Sequence, residues 1–144
     1  MKSVIIDNGS HQLKTGFTFN LSPSYVIESL VGIKNEEKLE FFFSPQAIKQ
    51  SQELEIKRPI KRGMIRDFDL IEKLWEKIIF ELKVDPKESP FLLSESLNNT
   101  FDKKEKMMQI FYEKFDCPFL SIFNQSLLSF FSNYKINGAI INCG

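Results

Sequence analysis

The stretch Val4-Ile5-Ile6-Asp7-Asn8-Gly9-Ser10 sets a short apolar run directly before an acid, an amide and two small residues. A segment of alternating polar and apolar side chains, Leu13–Phe19, follows it. Asn-Gly between two such runs is a strong short-range signal for a β-hairpin. We therefore predict a hairpin with its turn at Asn8-Gly9, and a third strand over Tyr25–Leu30.

Helical and strand patterns alternate after residue 63. A helix is predicted over Asp69–Leu82, because apolar side chains recur there at helical spacing, and Asp69 with Glu72 forms a capping box at its start. Further along, the pattern predicts a strand Phe91–Ser94, a helix capped by Asp102 and Glu105, a strand Phe119–Ile122, a helix Gln125–Ser132 and a last strand Ala139–Asn142. This order predicts an α/β fold whose mixed sheet has flanking helices, as in half of a ribonuclease-H-like fold.

Residues 31–63 break this pattern. They hold a charged stretch, Lys34–Glu40, an aromatic run, Phe41–Phe43, and a short helix predicted over Pro45–Gln50. We interpret 31–63 as a small insertion, and residues 1–30 with 64–144 as the main unit.

Composition excludes several classes of protein. Nineteen basic and nineteen acidic side chains cancel, so neither nucleic acid nor a membrane is expected as a partner. The first apolar run is too short for a secretory or membrane segment, and Cys117 and Cys143 lack the spacing of a metal site. A basic cluster remains, which is either a solvated loop, as the zero net charge favours, or a local contact for an acidic partner or nucleic acid. Its members are Lys57, Arg58, Lys61, Arg62 and Arg66.

Ile5–Ser10 followed by Leu13–Phe17 resembles the first phosphate-binding hairpin of actin and the actin-related proteins. Similar landmarks continue in the same order over nearly the whole chain: Pro59-Ile60, Gly63–Ile65, Asp67–Asp69, Glu72–Trp75, Phe91–Glu95, Glu105–Met107, Gln109-Ile110, Phe115, Pro118 and Asn124–Ser129. The resemblance implies the amino-terminal half of an actin-type ATPase fold, with subdomain 1 carrying residues 31–63 as subdomain 2. Ile140–Gly144 resembles the opening of the second phosphate hairpin, so we expect the other half of the fold to be missing.

The same resemblance implies ATP or ADP with Mg²⁺ as the cofactor. Asp7 would hold the metal through water, and Gln125 would orient the attacking water. The implied nucleotide-binding residues are Asp7, Asn8, Gly9, Ser10, Lys14, Asn142 and Gly144. The motif alone leaves open an ordinary hairpin with a solvent-facing Lys14, and a Gln125 that merely starts a helix.

Two residues depart from the family pattern. His11 stands where the resemblance leads us to expect glycine, and its side chain is expected to disturb the turn and the approach of a phosphate. Asn142 stands where the family carries an acid, and an amide cannot polarise water as a carboxylate does. Hydrolysis is therefore not expected, and a site without bound nucleotide is an open alternative.

The leading hypothesis is a structural or scaffolding subunit of a larger protein assembly, with a degenerate nucleotide site. Its partner would sit near Phe130, Phe131 and the last strand, and filaments are not expected because the insertion lacks an apolar loop tip. One alternative is a functional ATP-binding actin-related protein of which this is the amino-terminal portion; a distant one is a metal-dependent nuclease using Asp7 with Glu95 or another carboxylate around two metals. The expected location is cytoplasmic and cytoskeletal, with ciliary or nuclear sites as alternatives.

Overall fold

The first apolar run lies at the centre of a five-stranded sheet. The structure is a computed structural model that describes residues 2–35, 39–133 and 138–141. The strands are β1 (Val4–Asn8), β2 (Gln12–Phe17), β3 (Tyr25–Glu28), β4 (Val31–Asn35), β5 (Leu39–Phe43), β6 (Glu55–Lys57), β7 (Ile60–Lys61), β8 (Met64–Ile65), β9 (Phe91–Glu95) and β10 (Leu120–Asn124). The helices are α1 (Gln46–Lys49), α2 (Phe68–Leu82), a 3-10 turn (Pro86–Glu88), α3 (Phe101–Gln109) with a π-helical continuation (Ile110–Lys114), and α4 (Gln125–Ser132).

The main sheet has the strand order β10-β9-β1-β2-β3. β1 pairs antiparallel with β2 but parallel with β9, and β9 pairs parallel with β10. Parallel neighbours require crossover connections, which contain α2 before β9 and α3 before β10. The predicted α/β fold with a hairpin at the start of a mixed sheet is therefore confirmed.

The two faces of this sheet are covered differently. On the first face, Val4, Ile6 and Leu93 are fully buried in one cluster with residues of α2, α3 and the π-helical turn. Because strand side chains alternate between faces, Ile5 and Asp7 belong to the second face. The helices before β10 thus cover the first face, and the second face is where β1 presents its acid.

α2 buries the predicted apolar stripe. Its buried side chains are Leu70, Ile71, Leu74, Trp75, Ile78 and Ile79. The predicted capping box is wrong, because the N-cap is Asp67, whose extended backbone lets its carboxylate accept the Leu70 N–H at 3.0 Å. Asp69 instead lies in the first turn, and Glu72 accepts a hydrogen bond from Lys114.

The second long helix begins earlier than predicted and changes geometry. Its N-cap is Thr100 rather than Asp102, without a side-chain capping bond, and the helix starts at Phe101. The π-helical turn then orients Phe111, whose ring meets the Trp75 and Phe91 rings edge to face at centroid distances of 5.1 Å. Aromatic packing against α2 and β9 thus accompanies the departure from α-helical geometry.

The first hairpin differs from the predicted tight turn. Asn8 is still inside β1, where it pairs with Leu13, so the connection is Gly9–His11. A Cβ on Gly9 would lie 2.3 Å from the Gln12 carbonyl oxygen, which explains the glycine. His11 does not have a positive φ, so its backbone conformation does not need a glycine, and its expected effect on the approach of a phosphate stays a prediction.

Residues 31–63 contain a second, three-stranded sheet of order β5-β4-β6. The predicted short helix is present as α1, whose Ala47 is buried close to Gly32 of β4. Val31 and Ile60 belong to the same buried cluster as the main sheet. The division into residues 1–30 with 64–144 and an insertion 31–63 therefore stays a prediction.

The predicted last strand is not found in the part that is described. Residues 138–141 have no strand geometry, and the strand pairs of the described residues do not include them. A strand needs a neighbouring strand with which its backbone can form hydrogen bonds, and an apolar sequence alone does not provide that neighbour. Asn142 and Gly144 lie outside the described residues.

Candidate functional site

Three parallel strands bring their carboxyl ends to one edge of the sheet. Asp7 is near the end of β1, Ser94 is near the end of β9, and Gln125 follows β10 directly. Carboxyl ends of neighbouring parallel strands are a common place for ligand sites in α/β sheets. We call this place the carboxyl edge.

A hydrogen-bonded cluster occupies the second face at the carboxyl edge. The Asp7 carboxylate accepts two hydrogen bonds at Oδ1, from the Ser94 hydroxyl at 2.6 Å and from Gln125 Nε2 at 3.1 Å. The same Gln125 nitrogen lies 3.2 Å from Ser94 Oγ and 3.4 Å from the Asn8 carbonyl oxygen. Because the amide nitrogen faces Asp7, the amide oxygen of Gln125 is the end that can accept a hydrogen bond from a water molecule.

Gln125 is held in place by the start of α4. Asn124 is the N-cap, and its side-chain oxygen accepts the Ser126 N–H at 2.9 Å. This cap fixes the first turn of the helix. Gln125 is therefore presented at a defined point directly after β10.

Asn8 faces the other way. Its side chain is buried on the first face, where Oδ1 accepts the Trp75 indole N–H at 3.0 Å and Nδ2 donates to the Ser94 carbonyl at 3.1 Å. A side chain with these bonds is not oriented toward a ligand on the second face. The predicted role of Asn8 in nucleotide binding can therefore involve its backbone only.

The Gly9–His11 loop is tied to the β7–β8 hairpin. The Ser10 hydroxyl oxygen accepts the Gly63 N–H at 2.7 Å, which leaves the hydroxyl proton for another acceptor. The Gly9 N–H is already bonded to the Asp7 carbonyl oxygen at 3.1 Å. Of these two groups, Ser10 is the one that can still donate to an anion.

Lys14 sits beside the acid. It is the direct strand partner of Asp7 on β2 and therefore lies on the same face, with an exposed side chain. The structure thus brings Asp7 together with Gln125 by direct contact and with Lys14 by strand pairing. Ser10 is bonded to Gly63 instead, and the predicted contributions of Asn142 and Gly144 fall outside the described residues.

Ser94 was not predicted as a site residue. It is buried and contacts Asp7, Asn8 and Gln125. The sequence does carry a signal for it, since a polar residue ends each of two apolar runs, Val4–Ile6 and Phe91–Leu93, and parallel pairing sets such ends side by side.

Glu95, the acid named for the nuclease alternative although another carboxylate could replace it there, is engaged elsewhere. It is largely buried, pairs with Lys104 at 2.6 Å and accepts a hydrogen bond from Asn99 at 2.9 Å. Within residues 2–35, 39–133 and 138–141, no three His, Cys, Asp or Glu side chains are grouped so as to hold a metal ion. Nor does any helix in those ranges have the length and apolar character to cross a membrane.

Two grooves, each of about 560 Å³, lie along α2 and away from the carboxyl edge. One has an apolar wall that includes Ile79, Phe80 and Phe115, and the lining of the other includes charged residues of α2, α3 and the π-helical turn. Neither groove is lined by Asp7, Ser94 or Gln125. The second-face cluster is thus separate from both grooves.

The fold and the cluster agree with the outcome of a comparison with family models. The matching model is the one described as Actin, and it covers residues 1–144. It therefore includes β1, β9 and β10 together with the Asp7, Ser94 and Gln125 cluster at their ends. This chain belongs to the actin family.

Proposed function

We propose that this actin-family chain is a structural subunit of a larger protein assembly, that it does not form conventional actin filaments, and that its nucleotide site is degenerate. Such a subunit would act in the cytoplasm, at the cytoskeleton. The observation that carries the proposal is an apolar surface formed by α4 and by β10, the edge strand of the main sheet.

Apolar side chains are exposed along β10 and its flanks. Phe119 is 66% exposed and Phe123 is 41% exposed. On α4, Leu127 and Phe131 are also exposed, and their spacing of four residues places them on one side of the helix. Large apolar patches on soluble proteins commonly mark interaction sites. We call these four residues the β10–α4 surface and propose that it contacts the partner protein.

The insertion supports the absence of filaments. In the β4–β5 hairpin, Lys34 pairs with Glu40 across the ladder, and the connecting sequence Glu36-Glu37-Lys38 is charged. A charged connection does not provide the apolar grip that the family resemblance associates with filament contacts. Contacts between copies of this chain through the hairpin are therefore not part of the proposed function.

The altered nucleotide site is supported by the bonds at the carboxyl edge. Asp7 Oδ1 already accepts two hydrogen bonds, and the Gly9 N–H is turned toward the Asp7 carbonyl. His11 further adds an exposed imidazole to the loop in place of the expected glycine. The Gly9 N–H would have to leave the Asp7 carbonyl before it could donate to a phosphate, and Asp7 Oδ1 would have to give up its present donors before it could hold hydrated Mg²⁺.

ATP binding is the second candidate function, and the contact between Asp7 and Gln125 favours it. Lys14 and the Ser10 hydroxyl would hold phosphates, and Asp7 would hold hydrated Mg²⁺. A bound nucleotide would supply a γ-phosphate for transfer to water. The amide oxygen of Gln125 would orient that water.

Site-specific photocrosslinking tests the first proposal. A benzophenone amino acid in place of Phe123 should form covalent adducts with a different protein in the cells that produce this chain. The control position is Ile48 on α1, which is exposed to a similar extent, 45% against 41%. Adducts with second copies of this chain alone, or equal yields at both positions, would contradict the proposal.

Calorimetric titration with Mg-ATP separates the two candidates. If the nucleotide site is degenerate, the wild-type protein gives no saturable heat at micromolar concentrations. Saturable binding that Asp7→Ala abolishes, while Glu55→Ala on β6 leaves it unchanged, would instead establish the second candidate.

A further inference from the structure

Hydrogen bonds cross the sheet from the buried core to the carboxyl edge. They begin at the Trp75 indole, which donates to Asn8 Oδ1 at 3.0 Å, and continue from Asn8 Nδ2 to the Ser94 carbonyl at 3.1 Å. On the second face, Ser94 Oγ accepts the Asn8 N–H at 2.8 Å and donates to Asp7 at 2.6 Å. Gln125 completes the series through its bond to Asp7. We call these five residues the relay.

Burial restricts the hydrogen-bond partners that are open to the three inner residues of the relay. Trp75, Asn8 and Ser94 are each at most 3% exposed. A buried polar atom that loses its partner cannot turn to water, and this penalty exceeds the net gain from a typical hydrogen bond. The polar atoms of these three residues are therefore confined to the arrangement in which all of them are paired.

Asn8 links two strands in that arrangement. Its backbone N–H and its side-chain amide both donate to Ser94, one to the hydroxyl and one to the carbonyl. This double contact sets the end of β1 against the end of β9. In both contacts Ser94 is the acceptor, and its single hydroxyl proton is donated to Asp7.

We infer that Asn8 and Trp75 are positioning residues of the carboxyl edge. They act through Ser94 to fix the Asp7 carboxylate and, through Asp7, the Gln125 amide. The inference goes beyond the proposed function, because it involves neither a partner protein nor a nucleotide. It also gives Asn8 a role on the face opposite to the one on which a ligand would bind.

One direction of the coupling is tested from the site inward. Trp75 is the single tryptophan of the chain, so its indole N–H gives one resonance in a ¹H–¹⁵N spectrum of this chain. Gln125→Ala should shift this resonance and speed its exchange with solvent by about fivefold, the equivalent of about 1 kcal/mol of hydrogen bonding. Ser10→Ala is the matched control, because Ser10 is bonded to Gly63 instead of to the relay.

The other direction is tested from the core outward. Trp75→Phe keeps an aromatic ring but removes the indole N–H, and it should shift the side-chain amide resonances of Gln125. Phe111→Leu is its control, since it disturbs ring packing against Trp75 without touching a relay bond. A purely structural role would give equal shifts for the two variants at equal loss of stability.

The inference is overturned if Gln125→Ala moves the indole resonance no more than Ser10→Ala does. It is also overturned if Trp75→Phe and Phe111→Leu have the same effect on Gln125. Should Trp75→Phe fail to fold, the Gln125→Ala comparison decides, because Gln125 is only half-buried and starts a helix at the surface. Mg-ATP is absent from every sample, so the outcome is independent of whether the chain binds nucleotide.

Discussion

Two buried serines, Ser29 and Ser94, differ in the hydrogen bonding of their hydroxyl groups. Ser29 is fully buried and its hydroxyl has no hydrogen-bond partner among the described residues, whereas the similarly buried Ser94 hydroxyl bonds to Asp7 and Asn8. We expect Ser29→Ala to leave the free energy of unfolding unchanged or to raise it by about 1 kcal/mol, and Ser94→Ala to lower it by about 1–3 kcal/mol. Urea denaturation measures both values. Equal losses in the two variants would contradict this assignment.

Trp75 combines packing with a polar contact. Its ring is fully buried against Phe111, and its indole N–H is bonded to Asn8. Trp75→Ala should lower the free energy of unfolding by about 3–5 kcal/mol, because it opens a cavity and leaves an Asn8 oxygen unpaired. Phe80→Ala on the exposed side of the same helix should change it by less than about 0.5 kcal/mol. A Trp75→Ala protein as stable as the wild type would show that the ring does not belong to the core.

Ion pairs connect helix α2 to the π-helical turn. Lys114 contacts both Glu72 and Glu76, and Lys73 also reaches Glu76. Burial alone would raise the pKa of Glu76, but the hydrogen bonds and charges of Lys114 and Lys73 outweigh it and hold this pKa below its usual value. The network therefore stabilises the helix pair while Glu76 is ionised.

The lowered pKa of Glu76 determines how the stability contributed by this residue depends on pH. A carboxyl whose pKa is lowered by folding adds stability above its unfolded pKa of about 4.3, and loses it as the pH falls through the folded pKa. Glu76→Gln should therefore cost about 0.5–1 kcal/mol near pH 7, a small value because more than a third of the side chain is exposed. The cost should vanish near pH 2. Chemical denaturation at both pH values checks this, with Glu55→Gln in the exposed pair with Lys57 as control. A cost independent of pH would exclude ionisation as the cause.

Sequence patterns predicted elements better than their ends. The apolar period located α2, and the bounds predicted for α4, Gln125–Ser132, agree with the structure. The cap of α2 was misplaced because Asp67 and Asp69 are both good capping residues, and only the extended backbone at Asp67 decides between them. Ala139–Asn142 was predicted as a strand from its apolar character, although a strand also depends on an edge that is distant in sequence.

The site was predictable where its residues follow one another. Asp7, Gly9 and Ser10 form a local motif, and the family resemblance added Gln125. Ser94 was missed because 86 residues separate it from Asn8, and only the parallel pairing of β1 and β9 makes them neighbours. The inward orientation of Asn8 was not accessible either, since it depends on the position of Trp75 in the packed helix.

Because apolar side chains are exposed on the β10–α4 surface, we expect the protein to self-associate at high concentration when no partner is present. Replacing Phe119 and Phe123 by Ser should reduce concentration-dependent light scattering, because both rings are exposed and contribute little to the core. The same replacement by Ser at Ile48 and Ile56, two exposed residues within 31–63, should leave the light scattering unchanged. A decrease of equal size for both pairs would indicate general stickiness instead of a defined surface.

α4 differs from α2 in how it is anchored. None of its eight residues is buried, whereas α2 buries six. A helix of this length does not persist without tertiary contacts, so α4 should be among the first segments to unfold locally, and its backbone amides should exchange quickly with deuterium. Each local opening also withdraws Gln125 from Asp7. A protein bound to Leu127 and Phe131 would hold α4 closed, and would thereby assemble the carboxyl edge without touching Asp7.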